Sequence, residues 1–432
     1  MNSKTKTARR VVGVATAVVL AAGASACGSG GTGGGAKAGG FTYWSMWRAG
    51  EPQAKVIQAA IDRFQSDTGI KVDVTWAGRD VTKKIGPAIA ARQAPDLWDQ
   101  GADAVYAATA QAGQALDLSD VLGMEVPGEG KKVSDVIPAK YLDALPKDPN
   151  GKNHYIIPYE VSSAGLFYNA ADPDLATAMP TPPATWADFL KVCDALKAKG
   201  RACLASDGEL AWENGLTLDY LLAAGGVDFS ALSSDKSGAG WDNPAVLTAV
   251  KQVEQLVKGG YLLGGYDATK FPAQETNWSA GKAAFYSDGS WVTDEVAKQV
   301  PADWKMGAML PPGATNADSM LFGFSMPRTA KNVAPAQKFI AYFQQQKVLG
   351  GISTEAGNIT PRPDIPAPAV LADVQKALDS APVRLTYGGV AGSYPTKVLN
   401  QNFLDLWHGK TSAEQFVSKM KSDQVSFWKS QD

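Results

Sequence analysis

The chain has 432 residues, 45% of them hydrophobic and 19% charged, with a formal net charge of −2. That length exceeds a single ordinary hydrophobic core and favours two domains, and the slightly acidic balance argues against nucleic acid or an anionic membrane face as a partner. Only two His and three Cys are present, which leaves little material for metal or nucleophile chemistry.

The first element is an export signal. Lys4, Lys6, Arg9 and Arg10 form a basic region with no acid among them, followed by an apolar run over residues 11–24. That run is of signal-peptide length and short of the roughly 20 residues a spanning helix needs. Ala24-Ser25-Ala26-Cys27 resembles a lipobox, in which the cysteine is acylated and becomes the new N-terminus. The alternative is ordinary cleavage after Ala26, releasing the chain. Residues 28–40 are nearly all Gly, Ser, Thr and Ala and read as a flexible tether reaching on the order of 20 Å. Residues 1–26 are therefore expected to be a signal peptide and 27–40 a lipid-anchored tether, and removing 1–26 moves the formal charge from −2 to −6. With Cys27 lipidated, Cys193 and Cys203 remain as an even pair in an oxidising compartment and are expected to form a disulfide.

Beyond the tether, strands and helices alternate. Residues 41–47 read as an aromatic strand, and Val56, Ile57, Ala60, Ile61 and Phe64 recur at helical spacing. Gly69 breaks that helix, residues 70–76 alternate as a half-buried strand, residues 83–91 form a second helix, and Pro95-Asp96-Leu97-Trp98 follows. This β-α-β-α-β start predicts an α/β fold with helices covering a parallel sheet. Later helices fit 186–199, 244–258, 334–345 and 413–429, and the Pro-rich stretch 361–368 is a connector. In such open sheets ligands sit beyond the carboxyl ends of the strands, which is where Trp47 and Arg48, and the segment 98–103, are placed.

Several segments, taken in order, resemble the extracellular solute-binding proteins of carbohydrate ABC importers, the maltodextrin-binding-protein family. They are residues 61–74 (a helix running into a strand), Ala90 through Trp98, Gly151 through Pro158 continuing to Asn169, Thr185-Trp186-Ala187-Asp188-Phe189, and Ala280 through Phe285 followed by Asp288-Gly289-Ser290-Trp291. The resemblance implies a two-lobed periplasmic-binding-protein fold with discontinuous lobes around a ligand cleft. Residues 41–160 and 310–352 would form lobe 1, and 161–309 and 353–432 lobe 2. It further implies capture of a sugar or short oligosaccharide and delivery to the importer's membrane subunits. The protein would act as a monomer that meets the membrane through its N-terminal lipid only, with no cofactor, no metal and no catalysis. A secreted glycoside hydrolase and a sensory or structural lipoprotein are the alternatives. The first would need two carboxyls held about 5 or about 6.5–9.5 Å apart, and no pair is marked in the sequence. Nucleophile-elbow, phosphate-loop, zinc and calcium-loop motifs are absent, and His154 and His408 read as solvated residues.

Sugar recognition needs flat aromatic faces for the apolar C–H surface and polar groups for the hydroxyls. Trp291 matches the family's Gly-x-Trp position, whose ring stacks on the sugar, with a core Trp as the alternative. Trp47 and Arg48 follow the first strand, as a stacking wall or as core packing. Asp103 lies near a second-strand polar contact, with Asp99 as competitor. Glu160 sits in the crossing segment, with Ser162 as alternative, and Trp212 falls where relatives supply an aromatic. Trp278 reads as core. Arg362 resembles the family's late Pro-x-Arg stretch, against a plain surface arginine. Tyr387 and Tyr394 are candidates for the aromatic that folds over the ligand.

Overall fold

The computed structural model describes residues 39–314, 316–389 and 394–431. The expected signal peptide, Cys27 and all but the last two residues of the tether lie outside the described residues. The strands, in chain order, are β1 Phe41–Ser45, β2 Val72–Trp76, β3 Leu97–Gly101, β4 Glu125–Val126, β5 Lys131–Lys132, β6 Ile157–Ser162, β7 Ala164–Asn169, β8 Ala202–Ala205, β9 Ala283–Gly289, β10 Met306–Met309, β11 Asp318–Ser325 and β12 Arg384–Leu385.

The first sheet grows from the parallel start that the sequence predicts. β1 lies between β2 and β3 and is parallel to both. Phe41, Tyr43 and Ser45 of β1 are buried while Thr42 is exposed, the alternation of a covered sheet face. All five residues of β3 are buried, as expected of a strand with a neighbour on each side. The helix Pro52–Thr68 connects β1 to β2 and ends where Gly69 takes φ 71°, with its N–H bonded to the Gln65 carbonyl. The helix Val81–Ala90 connects β2 to β3 and buries Val81, Ile85 and Ile89 along one stripe. Beyond β3 the sheet turns mixed, because β11 runs antiparallel to it. β11 also pairs antiparallel with β6 and parallel with β12.

A second sheet has the order β10-β7-β9-β8. β7 pairs antiparallel with β9 and β10, and β8 runs parallel to β9. The chain passes from the first sheet to the second at Ser163, between β6 and β7, and returns between β10 and β11. Strand periodicity divides the packing of this sheet. Phe167, Tyr286 and Ala308 face a core shared with the first sheet, and their neighbours Leu166, Phe285 and Met309 face a second core. That second core is covered by helices Trp186–Ala198, Ala211–Ala224, Pro244–Lys258, Asn400–Trp407 and Ala413–Lys429. Thr185 caps the first of these, its hydroxyl accepting from the Asp188 N–H at 3.2 Å. Cys193 of that helix and Cys203 of β8 form a disulfide with a Cα–Cα distance of 5.0 Å. No regular element occupies 361–368, and no helix of the described residues is long and apolar enough to cross a membrane.

Candidate ligand-binding site

A cavity of about 850 Å³ opens beyond the carboxyl ends of β1 and β3, bounded across the gap by the segment that follows β9 and by the first turn of helix Ala211–Ala224. Its floor is β11, which contributes Ser319 through Phe322. The size suits a small solute, and the position is the one expected for an open α/β sheet.

One wall is built on a buried carboxylate. Asp99 on β3 accepts from the Met46 N–H at 2.7 Å and from the Tyr159 hydroxyl at 2.6 Å. Tyr159 in turn accepts from the Trp47 indole N–H at 2.8 Å. This relay fixes the turn after β1 and holds Trp47, 5% exposed, at the cavity edge. Burial pushes the Asp99 carboxyl up to about 6, with its hydrogen bonds opposing the shift. The Arg79 guanidinium lies 4.6 Å from the Trp47 ring centre. It also donates to Glu51 at 2.7 Å and to the Met46 carbonyl at 3.0 Å. Glu160 on β6 lines the same wall and is 1% exposed. Ser162 donates to one of its oxygens at 3.0 Å, the other has no partner, and burial pushes the carboxyl up to about 7.

The facing wall is aromatic. Trp212 and Trp291 stack with ring centres 6.1 Å apart and planes inclined by 24°. Trp291 lies so close over Gly289 that a Cβ there would sit 2.2 Å from the indole, which explains physically why glycine stands two residues before this tryptophan. Tyr387 closes one end. Its hydroxyl donates to the Trp212 carbonyl at 2.7 Å and its N–H donates to Asp219 at 2.9 Å. Gly215 makes room for it, since a Cβ there would meet the Tyr387 hydroxyl at 2.2 Å. Arg384 supports this end by pairing with both Asp219 and Asp318.

Behind the aromatic wall lies a group of acids. One carboxylate oxygen each from Glu275, Asp288 and Glu295 lie within 4.8 Å of one another. Burial is the largest cause raising all three carboxyls above their ordinary range; neighbouring acids add to it, while a hydrogen bond with Glu275 and the Arg79 charge partly oppose the rise at Glu295. Glu295 itself reaches the cavity, as does Asp294.

The structure thus brings Trp47, Asp103, Glu160, Trp212, Trp291 and Tyr387 to one cavity. It places Arg48 on the surface beside Gly78. Arg362 lies away from the cavity, 1% exposed and paired with Glu129 at 2.8 Å and Asp364 at 2.6 Å, where it fixes the Pro-rich connector. Asp99 and Ser162, the alternatives to Asp103 and Glu160, are fully buried supports. Trp278 is fully buried and stacks on Tyr286 at 5.4 Å, while Tyr394 is 3% exposed in the second core. Sequence reasoning missed Arg79, Phe322, Asp294 and Glu295. The last two follow Trp291 by three and four residues, so helical spacing places them on its face and could have found them. Nothing local marks Arg79 or Phe322.

The model of the family described as "Bacterial extracellular solute-binding protein" matches residues 59–378. Among individual proteins, the diacetylchitobiose-binding protein NgcE of Streptomyces coelicolor is 26% identical over 287 residues. That match covers 66% of this chain and 58% of the length of NgcE. Solved structures with a similar fold include a chitin oligosaccharide binding protein, with a TM-score of 0.73 at 20% identity over 90% of this chain and 99% of that one. Apo RafE from Streptococcus pneumoniae has a TM-score of 0.73 at 16% identity, covering 91% and 99%. The GacH receptor of Streptomyces glaucescens has a TM-score of 0.72 at 17% identity, again covering 91% and 99%. These likenesses show a two-lobed solute-receptor fold.

Proposed function

We propose, from the premise that this chain belongs to the bacterial extracellular solute-binding proteins, that it captures a sugar or short oligosaccharide and delivers it to an ABC importer. The observation that carries the reading is the pair of stacked, half-accessible indoles, Trp212 and Trp291, on the wall of a solute-sized cavity that also presents carboxylates. Flat π faces bury the apolar side of a pyranose, and the polar groups bind its hydroxyls. Relatives whose names specify sugars, NgcE and the chitin oligosaccharide binding protein, support the same assignment.

The mechanism is capture, closure and delivery. Solute enters the open cavity, and the lobes rotate about the segments that cross between the sheets. The solute drives this only through its preference for the closed form. We take residues 41–160 with 310–352 as one lobe and 161–309 with 353–432 as the other. The passage at Ser163 and the return between β10 and β11 support the divisions near 160 and 310, whereas β12, which pairs with β11 of the first sheet, does not follow the division at 353. The closed monomer would then dock on the importer's membrane subunits, kept near them by lipid on Cys27.

A thermal-shift screen of the mature protein against mono-, di- and oligosaccharides tests the proposal. One or more sugars should raise the unfolding midpoint in a saturable way. A panel in which no sugar shifts the midpoint, backed by calorimetry showing no binding, would remove the sugar reading.

A further inference from the structure

The charge of the cavity is unusually one-sided. Five acids line it, Glu51, Asp103, Glu160, Asp294 and Glu295, against one base, Arg79, and no Lys or His among the described residues. Arg79 is already engaged, donating to Glu51 and to the Met46 carbonyl while covering Trp47. Among the described residues no ion pair reaches the other four acids, although the Arg79 charge is felt by Glu160 and Glu295. Glu160 has one buried oxygen with no hydrogen-bond partner. Behind Glu295 stand Glu275 and Asp288, each almost fully buried and each with an unpartnered oxygen.

A neutral hydroxyl can donate to a carboxylate but leaves its charge uncompensated once water is excluded, which is costly. An ammonium supplies donors and the opposing charge together. The aromatic wall favours the same partner, because indole faces attract cations. The acids also lie on both sides of the cavity, Asp103 and Glu160 from the first sheet's side and Asp294 and Glu295 from the second's. That spread fits several charged groups along a chain better than a single ion.

We propose that the solute is a cationic sugar, an amino sugar or short amino-sugar oligomer whose ammonium groups meet these carboxylates while a ring face lies on the Trp212–Trp291 pair. This rests on the sugar-capture reading above and narrows its substrate class.

The test compares two disaccharides that differ only in acylation, di-N-acetylchitobiose and its fully deacetylated form. Binding is measured by calorimetry at pH 6 and pH 7, because burial keeps Glu160 largely protonated at the lower value while the free amines begin to lose their protons at the higher. The deacetylated sugar should bind at least tenfold tighter, and raising the salt should erode its advantage. Asp294→Asn and Glu295→Gln, made separately so that either can stand if the other misfolds, should each cut the deacetylated sugar's advantage over the acetylated one several-fold. Equal or tighter binding of the acetylated sugar overturns the proposal and leaves sugar capture intact. If neither disaccharide binds while other neutral sugars do, the proposal again fails alone. If no sugar of any kind binds, both readings fail. Stabilisation by Ca²⁺ alone, lost in Glu295→Gln and competitive with the amine, would assign the acid group to a metal ion and overturn the proposal.

Discussion

Trp291 is held by its own neighbour. The indole lies flat over Gly289, and any larger residue there would push it out of the wall. Trp291→Ala should therefore act mainly on ligand. Losing about 80–100 Å² of apolar contact at about 25 cal/mol/Å² removes about 2 kcal/mol, which is roughly thirtyfold in affinity. A buried core tryptophan would instead cost about 3–5 kcal/mol of stability. Calorimetric affinity and the unfolding midpoint, taken on one preparation, separate the two; intact affinity beside a large loss of stability would remove Trp291 from the site. Glu160 makes a different prediction. Burial raises its carboxyl from 4.5 to about 7, so between these values the unfolded chain gives up its proton first. The stability from this group is full below about pH 4.5 and is lost as the pH rises through about 7, a change of about 3 kcal/mol. The midpoint of ligand-free protein should fall across that window, and Glu160→Gln should flatten the fall. An unaltered slope in the variant would show that Glu160 does not titrate there. At this scale the sequence reveals residues with a local mark. Trp291 follows a glycine two positions earlier, whereas Trp212 is placed by family resemblance and not by a local mark. Arg79 carries no such mark, because its partners Glu51 and Trp47 come together only after β1 and β2 have paired.

Elements legible in the sequence are those whose burial is one-sided. Helix Val81–Ala90 and strand β1 display their periods directly, and helix Pro244–Lys258 starts at its Pro and ends before Gly259 as expected. β11 was invisible for the opposite reason. Its burial is nearly continuous, and its partners β3 and β6 lie more than 150 residues earlier in the chain, so nothing local announces its place. The disulfide joins helix Trp186–Ala198, which the sequence placed, to β8. Closing a loop of this length stabilises by about 2–3 kcal/mol. Reductant should lower the unfolding midpoint while sugar binding persists, since both cysteines lie in the second core away from the cavity. Alkylation mass spectrometry that finds both thiols free in exported, non-reduced protein would contradict the bridge.

For the whole molecule, the α/β class followed from alternating elements, whereas the discontinuous lobes did not. No period in the sequence says that β11 returns to the sheet begun by β1, and that arrangement came from family resemblance. Anchorage also belongs to this scale. If Cys27 carries lipid, Cys27→Ser should release a folded protein into the medium, and the wild-type N-terminal peptide should carry acyl mass. A wild-type peptide without that mass would point to ordinary cleavage instead.

The stacked indoles have an optical consequence. Trp98, Trp241, Trp278 and Trp407 are fully buried, so their surroundings stay constant when solute arrives. Trp212 and Trp291 differ, being near-parallel, 6.1 Å apart and open to the cavity. Two indoles this close share their ultraviolet excitation and produce a paired circular-dichroism band whose sign and size follow their mutual angle. A sugar ring settling on either face shifts that angle and displaces the water that quenches their emission. The protein therefore carries an intrinsic dye at the mouth of its cavity, and loading can be followed by light with no label attached.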